Sequence, residues 1–263
     1  MAVLKNMKSK LFLLAAALAV AVQLNAFALV HPPATPAGNP TNTAILPVPR
    51  TGSATNRQTQ VLQRAKNAPG NYDLEFIGDS ITQGWEGAGK NVWKEYYSQR
   101  QAINFGVSGD RTQHVLWRFE NGQLDGIKAK VAIVMIGTNN SNKDDNTEAD
   151  ILEGVTAIVN QIRIRQPDTK ILLLGIFPRA KTFCPQRGKI LQVNQALAKL
   201  DDGQHIFYLD LGSQLIEPDG SISKSIMPDA LHPNAAGYQI WAKAMEPQLK
   251  NFLGENHWWH HNP

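Results

Sequence analysis

The chain has 263 residues, with 26 Lys or Arg and 22 Asp or Glu, and a formal net charge of +4. Three of the lysines lie in the first 28 residues, which contain no acid, so the net charge without that stretch is +1. No Lys/Arg cluster with interleaved aromatic residues follows, which argues against a nucleic-acid partner. The single cysteine, Cys184, excludes an internal disulfide, and about 200 residues suffice for one domain with a large core.

Residues 1–28 predict a cleavable secretory signal peptide. Lysines at positions 5, 8 and 10 precede the apolar run Leu11–Val22, and Ala26-Phe27-Ala28 matches the small-x-small cleavage pattern. An uncleaved membrane anchor is the disfavoured alternative, because the run is shorter than the roughly 20 residues that span a bilayer. We therefore expect cleavage after Ala28, no stable membrane anchor, and a secreted or periplasmic protein.

The composition predicts that residues 29–70 form a linker and N-terminal arm. Residues 29–50 contain six prolines, which is typical of an extended tether, and residues 51–70 are polar with a possible short helix over Thr59–Lys66. A single domain is expected over residues 71–254. Residues 255–263 read as a frayed tail, although their Trp and His residues leave a metal or carbohydrate-surface role open.

Apolar strands alternate with helical stretches along this domain. The strands are expected at Leu74–Gly78, Ala102–Phe105, Val131–Ile136, Ile171–Ile176 and Ile206–Leu209, and helices at Thr147–Arg165, Gln186–Leu200 and Ala235–Leu253. The third and fourth strands are continuous apolar runs, as strands covered on both faces require. The alternation predicts an α/β fold, doubly wound around a central parallel sheet of about five strands.

Four segments expected in strand-end or pre-helix loops carry residues capable of chemistry. In a parallel sheet these loops face one crevice. Each segment taken alone also fits a turn or a helix cap. A histidine is nevertheless the usual base for a serine, a carboxylate three residues earlier can reach its ring, and an asparagine amide can donate to an oxyanion. The segments are Gly78-Asp79-Ser80, Gly106–Gly109, Gly137-Thr138-Asn139 and Asp229–His232.

In this order the four segments resemble the motif blocks of the SGNH hydrolase superfamily, also called GDSL esterases. The resemblance extends over Leu74–Leu253 and is closest to the branch of platelet-activating-factor acetylhydrolase catalytic subunits. It implies a three-layer, flavodoxin-like fold. The stretches similar to that branch are Asn104-Phe105-Gly106, His114–Arg118, Gly137–Asn140 and Arg165-Gln166-Pro167.

The resemblance implies a role for individual residues. Ser80 would be the nucleophile, His232 the base and Asp229 the residue that orients it. The N–H groups of Ser80 and Gly109 and the side chain of Asn139 would form the oxyanion hole, with no metal and no cofactor. Ser108 stands where mammalian members of the branch usually have glycine, which should matter little beside Gly109.

Other residues are assigned from their positions relative to these motifs. Asp79 and Trp85, which flank the nucleophile, are assigned to substrate binding, although Trp85 could instead pack at the rim without touching a ligand. His114 and His205 are expected to be structural. Cys184 lies in a polar loop beside a proline with no adjacent histidine, so we do not expect it to be a nucleophile.

These expectations describe an exported serine esterase that removes short acyl groups. Because an exported enzyme meets polysaccharides, the predicted substrate is an acetylated carbohydrate. A lipid-directed esterase or lysophospholipase is the first alternative, disfavoured by the lack of a long amphipathic lid segment. A non-catalytic glycan-binding protein is the second, and the complete triad argues against it.

Overall fold

The computed structural model describes residues 42–143 and 145–255, and the predicted signal peptide lies outside them. Its strands are β1 (Gly70–Gly78), β2 (Ala102–Asn104), β3 (Ile127–Met135), β4 (Lys170–Leu174) and β5 (Ile206–Leu209). The α-helices are α1 (Ala54–Asn67), α2 (Ser80–Gln83), α3 (Lys90–Tyr97), α4 (Thr112–Glu120), α5 (Glu148–Arg165), α6 (Pro185–Leu197) and α7 (Ala235–Leu253). No helix of the described part has the length and apolar character to cross a bilayer.

The five strands pair in parallel in the order β2-β1-β3-β4-β5. Side chains alternate between the two faces of the sheet. Phe76 of β1 contributes to a core with α3 and α7, whereas Ile77 belongs to a second core with α4, α5 and α6. The predicted doubly wound α/β fold is therefore confirmed.

The strand order reverses at β1, which has β2 on one side and β3 on the other. In open α/β sheets the crevice for ligands lies at such a switch point, beyond the carboxyl ends of the strands. The loops that follow β1, β2 and β3 therefore meet there.

The packed domain begins earlier than residue 71, so the prediction of a linker up to residue 70 was wrong for its described part. Asn42 is buried and donates to Glu153 Oε2 at 2.8 Å, and the buried Ala44 accepts from Thr112 Oγ1 at 2.7 Å. The following helix α1 buries Val61 and Ala65 against β2 and its loop. The proline-rich composition predicted a linker, whereas these contacts depend on individual residues that a composition does not reveal.

The predicted tail, residues 255–263, also needs one correction. Glu255 is bound to Arg100, whose Nε and Nη2 lie 3.0 and 2.5 Å from its carboxylate oxygens. It therefore belongs to the packed domain, and residues 256–263 lie outside the described residues.

Candidate active site

Ser80 is the first residue of α2, directly beyond β1. Asp79 caps this helix, with its Oδ1 accepting from the Ile81 N–H at 2.9 Å. Gly78 has no room for a side chain, since a Cβ there would collide with Thr82 and with the Met135 carbonyl. From α7, Tyr238 donates its hydroxyl to the Ile81 carbonyl at 2.6 Å. These contacts fix the turn that presents Ser80 to the crevice.

Ser80 lies in a continuous hydrogen-bonded chain with His232 and Asp229. The Ser80 Oγ is 3.0 Å from His232 Nε2, and His232 Nδ1 is 2.6 Å from Asp229 Oδ2. The other carboxylate oxygen accepts from the backbone N–H of His232 at 2.7 Å and of Leu231 at 3.0 Å. A positive φ of 56° at Ala230 folds the loop back on itself, so that residues 229 and 232 face each other.

The electrostatics of this pair favour an ionised carboxylate. Partial burial raises the pKa of Asp229, but hydrogen bonds from the His232 ring and from two backbone N–H groups outweigh burial and hold the pKa below its usual range. A carboxylate facing Nδ1 retains the ring proton on that nitrogen, which leaves Nε2 free to accept the Ser80 proton. The side chains of His232 and Asp229 are 43% and 55% exposed, so the site is open to solvent.

The groups expected to hold an oxyanion come from the ends of β1, β2 and β3. Within the described residues, the N–H groups of Ser80 and Gly109 donate to no protein acceptor. Asn139 Nδ2 donates one hydrogen bond to the Asp110 carbonyl at 2.9 Å, which orients the amide and leaves its second hydrogen available. Gly109 has a φ of 74°, a conformation that glycine adopts readily.

Arg179, which the motifs did not indicate, ties the Asn139 loop to the segment after β4. Its Nη1 donates to the Thr138 carbonyl at 3.0 Å, the Thr138 hydroxyl at 3.2 Å and Asn142 Oδ1 at 3.0 Å. Burial lowers the pKa of Arg179, and the nearby Asp79 and Asp229 oppose that effect. A pattern search around the known motif blocks misses this residue, because it lies outside all four.

The structure does not support the assignment of Asp79 to substrate binding. Its side chain is fully buried, and one carboxylate oxygen, Oδ2, has no partner. Burial raises the pKa of Asp79 to about 7, opposed by the Ile81 N–H and by His232 and Arg179. Asp79 is thus a helix cap beneath the nucleophile and does not face the crevice.

Trp85 is also buried, with 1% of its surface exposed, so its assignment to the substrate cleft was wrong. Helix α2 continues into a 3-10 turn over Gly84–Glu86. In this turn the Trp85 side chain faces the hydrophobic core. Its ring packs in an aromatic cluster with Phe76, Trp93, Tyr97, Tyr238 and Trp241.

The other residues considered from the sequence lie outside the triad. His114 Nδ1 accepts from the Arg111 N–H at 3.0 Å, a cap for α4, and burial lowers the pKa of His114 to about 4. His205 lies 3.9 Å from Asp202, and Cys184 precedes α6. Among the residues described, no group of three or more His, Cys, Asp or Glu side chains could hold a metal ion.

Two cavities lie away from the triad. One, of about 650 Å³, is lined by residues at the amino end of the sheet, such as Tyr72, Lys128 and Gln166. The other, of about 540 Å³, is a groove beside α6, at the carboxyl ends of β4 and β5. None of the triad residues lines either cavity.

A serine hydroxyl facing a His-Asp pair, next to unpartnered N–H groups at a switch point, defines a serine hydrolase. The chain belongs to the GDSL-like lipase/acylhydrolase family, whose model matches residues 76–240. This confirms the resemblance to the SGNH superfamily, and the protein is an esterase or acylhydrolase of that family.

Curated relatives place the chain near the platelet-activating-factor acetylhydrolase branch. The alpha2 subunit of platelet-activating factor acetylhydrolase IB from Rattus norvegicus is 39% identical over 184 residues, covering 70% of this chain and 78% of that protein.

Solved structures share the fold. A putative platelet activating factor from Streptococcus pneumonia has a TM-score of 0.63 at 24% identity, covering 74% of this chain and 91% of that one. An acetylxylan esterase from Geobacillus stearothermophilus has a TM-score of 0.54 at 18% identity, covering 67% and 93%.

Proposed function

We propose that the protein is an exported acetylesterase that acts through a Ser80-His232-Asp229 triad. The observation on which the proposal rests is the hydrogen-bonded chain from Ser80 Oγ to His232 Nε2 at 3.0 Å and from His232 Nδ1 to Asp229 Oδ2 at 2.6 Å. These distances suit proton transfer without rearrangement.

In this mechanism Ser80 Oγ attacks the ester carbonyl while His232 Nε2 takes its proton. The carbonyl oxygen becomes an oxyanion, which the N–H groups of Ser80 and Gly109 and the Asn139 amide stabilise. His232 then gives the proton to the leaving alcohol, and an acetyl-enzyme remains. Water attacks the acetyl-enzyme, losing a proton to His232, and acetate leaves as Ser80 regains its hydrogen.

Different observations support the acetyl group and the carbohydrate that carries it. The relatives at 39% identity are named as acetylhydrolases, and the fold neighbour from Geobacillus stearothermophilus is an acetylxylan esterase. The side chains of His232 and Asp229 are about half exposed, so the leaving-group side of the site is accessible to a bulky alcohol such as a polysaccharide. Export through residues 1–28 would bring the enzyme to such substrates.

An acetylated lipid is the second candidate, favoured by the name of the relatives and by the groove beside α6. Its lining includes Phe183 and Leu191, which are 75% and 57% exposed. Exposed large apolar side chains around one groove are the kind of surface that contacts an alkyl chain.

The first test measures hydrolysis of nitrophenyl esters from acetyl to dodecanoyl, with wild type and Ser80→Ala side by side. We expect turnover to fall steeply beyond acetyl and to vanish in Ser80→Ala while the circular dichroism spectrum is unchanged. Activity that rises with chain length would contradict the acetyl preference. Turnover that persists in Ser80→Ala would contradict the assignment of the triad. No turnover in either protein would favour a glycan-binding module.

The alcohol is then identified by acetate release from acetylated xylan and from an acetylated phospholipid in micelles. Faster Ser80-dependent release from xylan is expected, and the reverse order would favour the lipid candidate. Leu191→Ser reduces the apolar surface of the groove, which no triad residue lines, and should leave nitrophenyl acetate hydrolysis unchanged. Export is tested separately, by determining the amino-terminal sequence of secreted protein. Residue 29 is the expected first residue.

A further inference from the structure

The segment before α1 reaches the loop that follows β2 through one arginine. Arg50 Nη1 donates to the Gly109 carbonyl at 3.0 Å, and its Nη2 lies 3.4 Å from the Ser108 carbonyl. The Arg50 Nε is 3.7 Å from Asp110 Oδ1, and the Arg50 side chain is only 22% exposed. Asp110 is fully buried and also pairs with Arg118, so the guanidinium has a fixed counter-ion.

The contact with the Ser108 carbonyl favours one direction of the Gly109 N–H. The Ser108–Gly109 peptide is planar and trans, so its N–H points away from its carbonyl oxygen. Because that oxygen faces Arg50, the N–H is directed to the opposite side of the loop, away from the guanidinium. A Cβ at Gly109 would lie 2.8 Å from Arg50 Nη2, which shows how closely the guanidinium covers this residue.

The rest of the loop is held by side chains from other elements. The Ser108 N–H donates to Gln83 Oε1 at 2.7 Å, and the Asp110 carbonyl accepts from Asn139 at 2.9 Å. The carbonyls of Ser108 and Gly109 instead bond to Arg50. Without Arg50, the Ser108–Gly109 peptide, which bears the expected oxyanion donor, would lose the restraint on its carbonyl, and the following peptide would lose another.

We propose that Arg50 is a positioning residue of the oxyanion hole, holding the Gly109 N–H toward the oxygen that becomes negative during acylation. The inference rests on the proposed esterase function and on Gly109 as a donor. A cation at the carbonyl end of a peptide also favours negative charge at its N–H end, and such preoriented dipoles matter most in the transition state. Arg50 therefore acts on kcat through Gly109 without touching the substrate.

The test compares Arg50→Gln and Arg50→Lys with the matched control Arg111→Gln. Arg111 belongs to the same loop, but its Nη2 is 2.6 Å from Asp145 Oδ2, and its side chain bonds to no carbonyl of residues 108–110. Each variant is assayed for kcat and KM on nitrophenyl acetate, for thermal midpoint, and for affinity for phenylboronic acid. The boron of this inhibitor accepts the Ser80 oxygen and becomes a tetrahedral anion, which mimics the acylation intermediate.

We expect Arg50→Gln to lower kcat about tenfold or more, less than removal of a whole donor, which costs about 10²–10³. The boronate affinity should fall in parallel, KM should change less than twofold, and Arg50→Lys should recover part of the loss. Arg111→Gln should behave as wild type. Wild-type kcat in Arg50→Gln, or an equal loss in Arg111→Gln, would overturn the proposal, the latter by showing that only general positive charge matters.

The assays also distinguish a positioning role of Arg50 from a purely structural one. A lower kcat with unchanged boronate affinity would assign Arg50 to stability or substrate access and overturn the positioning role. If Arg50→Gln does not fold, Arg50→Lys serves as the test, because lysine keeps the charge but lacks the planar fork that reaches two carbonyls. Ser80→Ala tests the proposed function separately. If that variant retains turnover, the assignment of the triad is wrong, regardless of the results for the Arg50 variants.

Discussion

Glu75 provides a prediction about stability that follows from its position in β1. The side chain is fully buried, and neither of its carboxylate oxygens has a hydrogen-bond donor. Burial raises the pKa of Glu75 to about 8, although its interaction with Gln166 opposes the rise. The Gln166 Nε2 already donates to the Ile127 carbonyl at 3.1 Å, and its Oε1 is buried without a partner. A proton on Glu75 removes the buried charge and therefore favours the folded state.

The size of the effect follows from the pKa difference between the folded and unfolded chains. The pKa of Glu75 is about 8 when folded and near 4.5 when unfolded. Between these values the folded protein binds one proton more than the unfolded chain, so the free energy of unfolding falls as pH rises, by about 1.4 kcal/mol per pH unit. The loss amounts to about 4 kcal/mol from pH 5 to pH 8, and above pH 8 it stops growing.

Glu75→Gln removes the titration with little change in the volume of the side chain. Urea unfolding of wild type and Glu75→Gln at pH 5 and pH 8.5 should show the variant gaining about 4 kcal/mol relative to wild type at the higher pH. Glu95→Gln, on the exposed surface of α3, removes the same charge and should show no such gain. A Glu75→Gln difference that is the same at both pH values would refute a protonated Glu75.

Three further predictions concern the site and the aromatic cluster beneath it. Asn139→Ala should lower kcat about 10²–10³ with KM nearly unchanged, and full kcat would exclude Asn139 as an oxyanion donor. Asp229→Ala should reduce kcat less than His232→Ala, because the imidazole can still accept the Ser80 proton, and equal losses would contradict this. Trp85→Ala should lower the free energy of unfolding by about 3–5 kcal/mol in urea, whereas a raised KM at wild-type stability would restore Trp85 to the substrate cleft.

The elements predicted best were those with a continuous or periodic apolar pattern. The predicted bounds of β5 and α7 match the structure, and α5 begins one residue later than expected because Thr147 caps it. A continuous or periodic apolar pattern fits few other kinds of element, so such segments can be predicted without tertiary information.

Segments with a polar pattern were harder to predict. Helix α1 buries Gln58 along with Val61 and Ala65, and its few apolar residues predicted only a short helix in a linker. Arg50 lies in a proline-rich stretch without a motif, and its importance depends on carbonyl groups 58 and 59 residues further along the chain. Every residue has a backbone carbonyl group, so the sequence does not indicate which of these groups will accept a hydrogen bond from Arg50.

The sequence by itself determined the fold class and the residue types of the candidate triad, because strand periodicity and four ordered motif blocks are local features. Only the tertiary structure brought Ser80 within 3.0 Å of His232, which is 152 residues away, and oriented the Asn139 amide on the Asp110 carbonyl. It also decided which neighbours of the nucleophile face inward, placing Asp79 and Trp85 in the core. Which side chains around α2 are buried depends on how this four-residue helix packs against the aromatic cluster. The cluster is built from distant parts of the chain, so the local sequence does not reveal it.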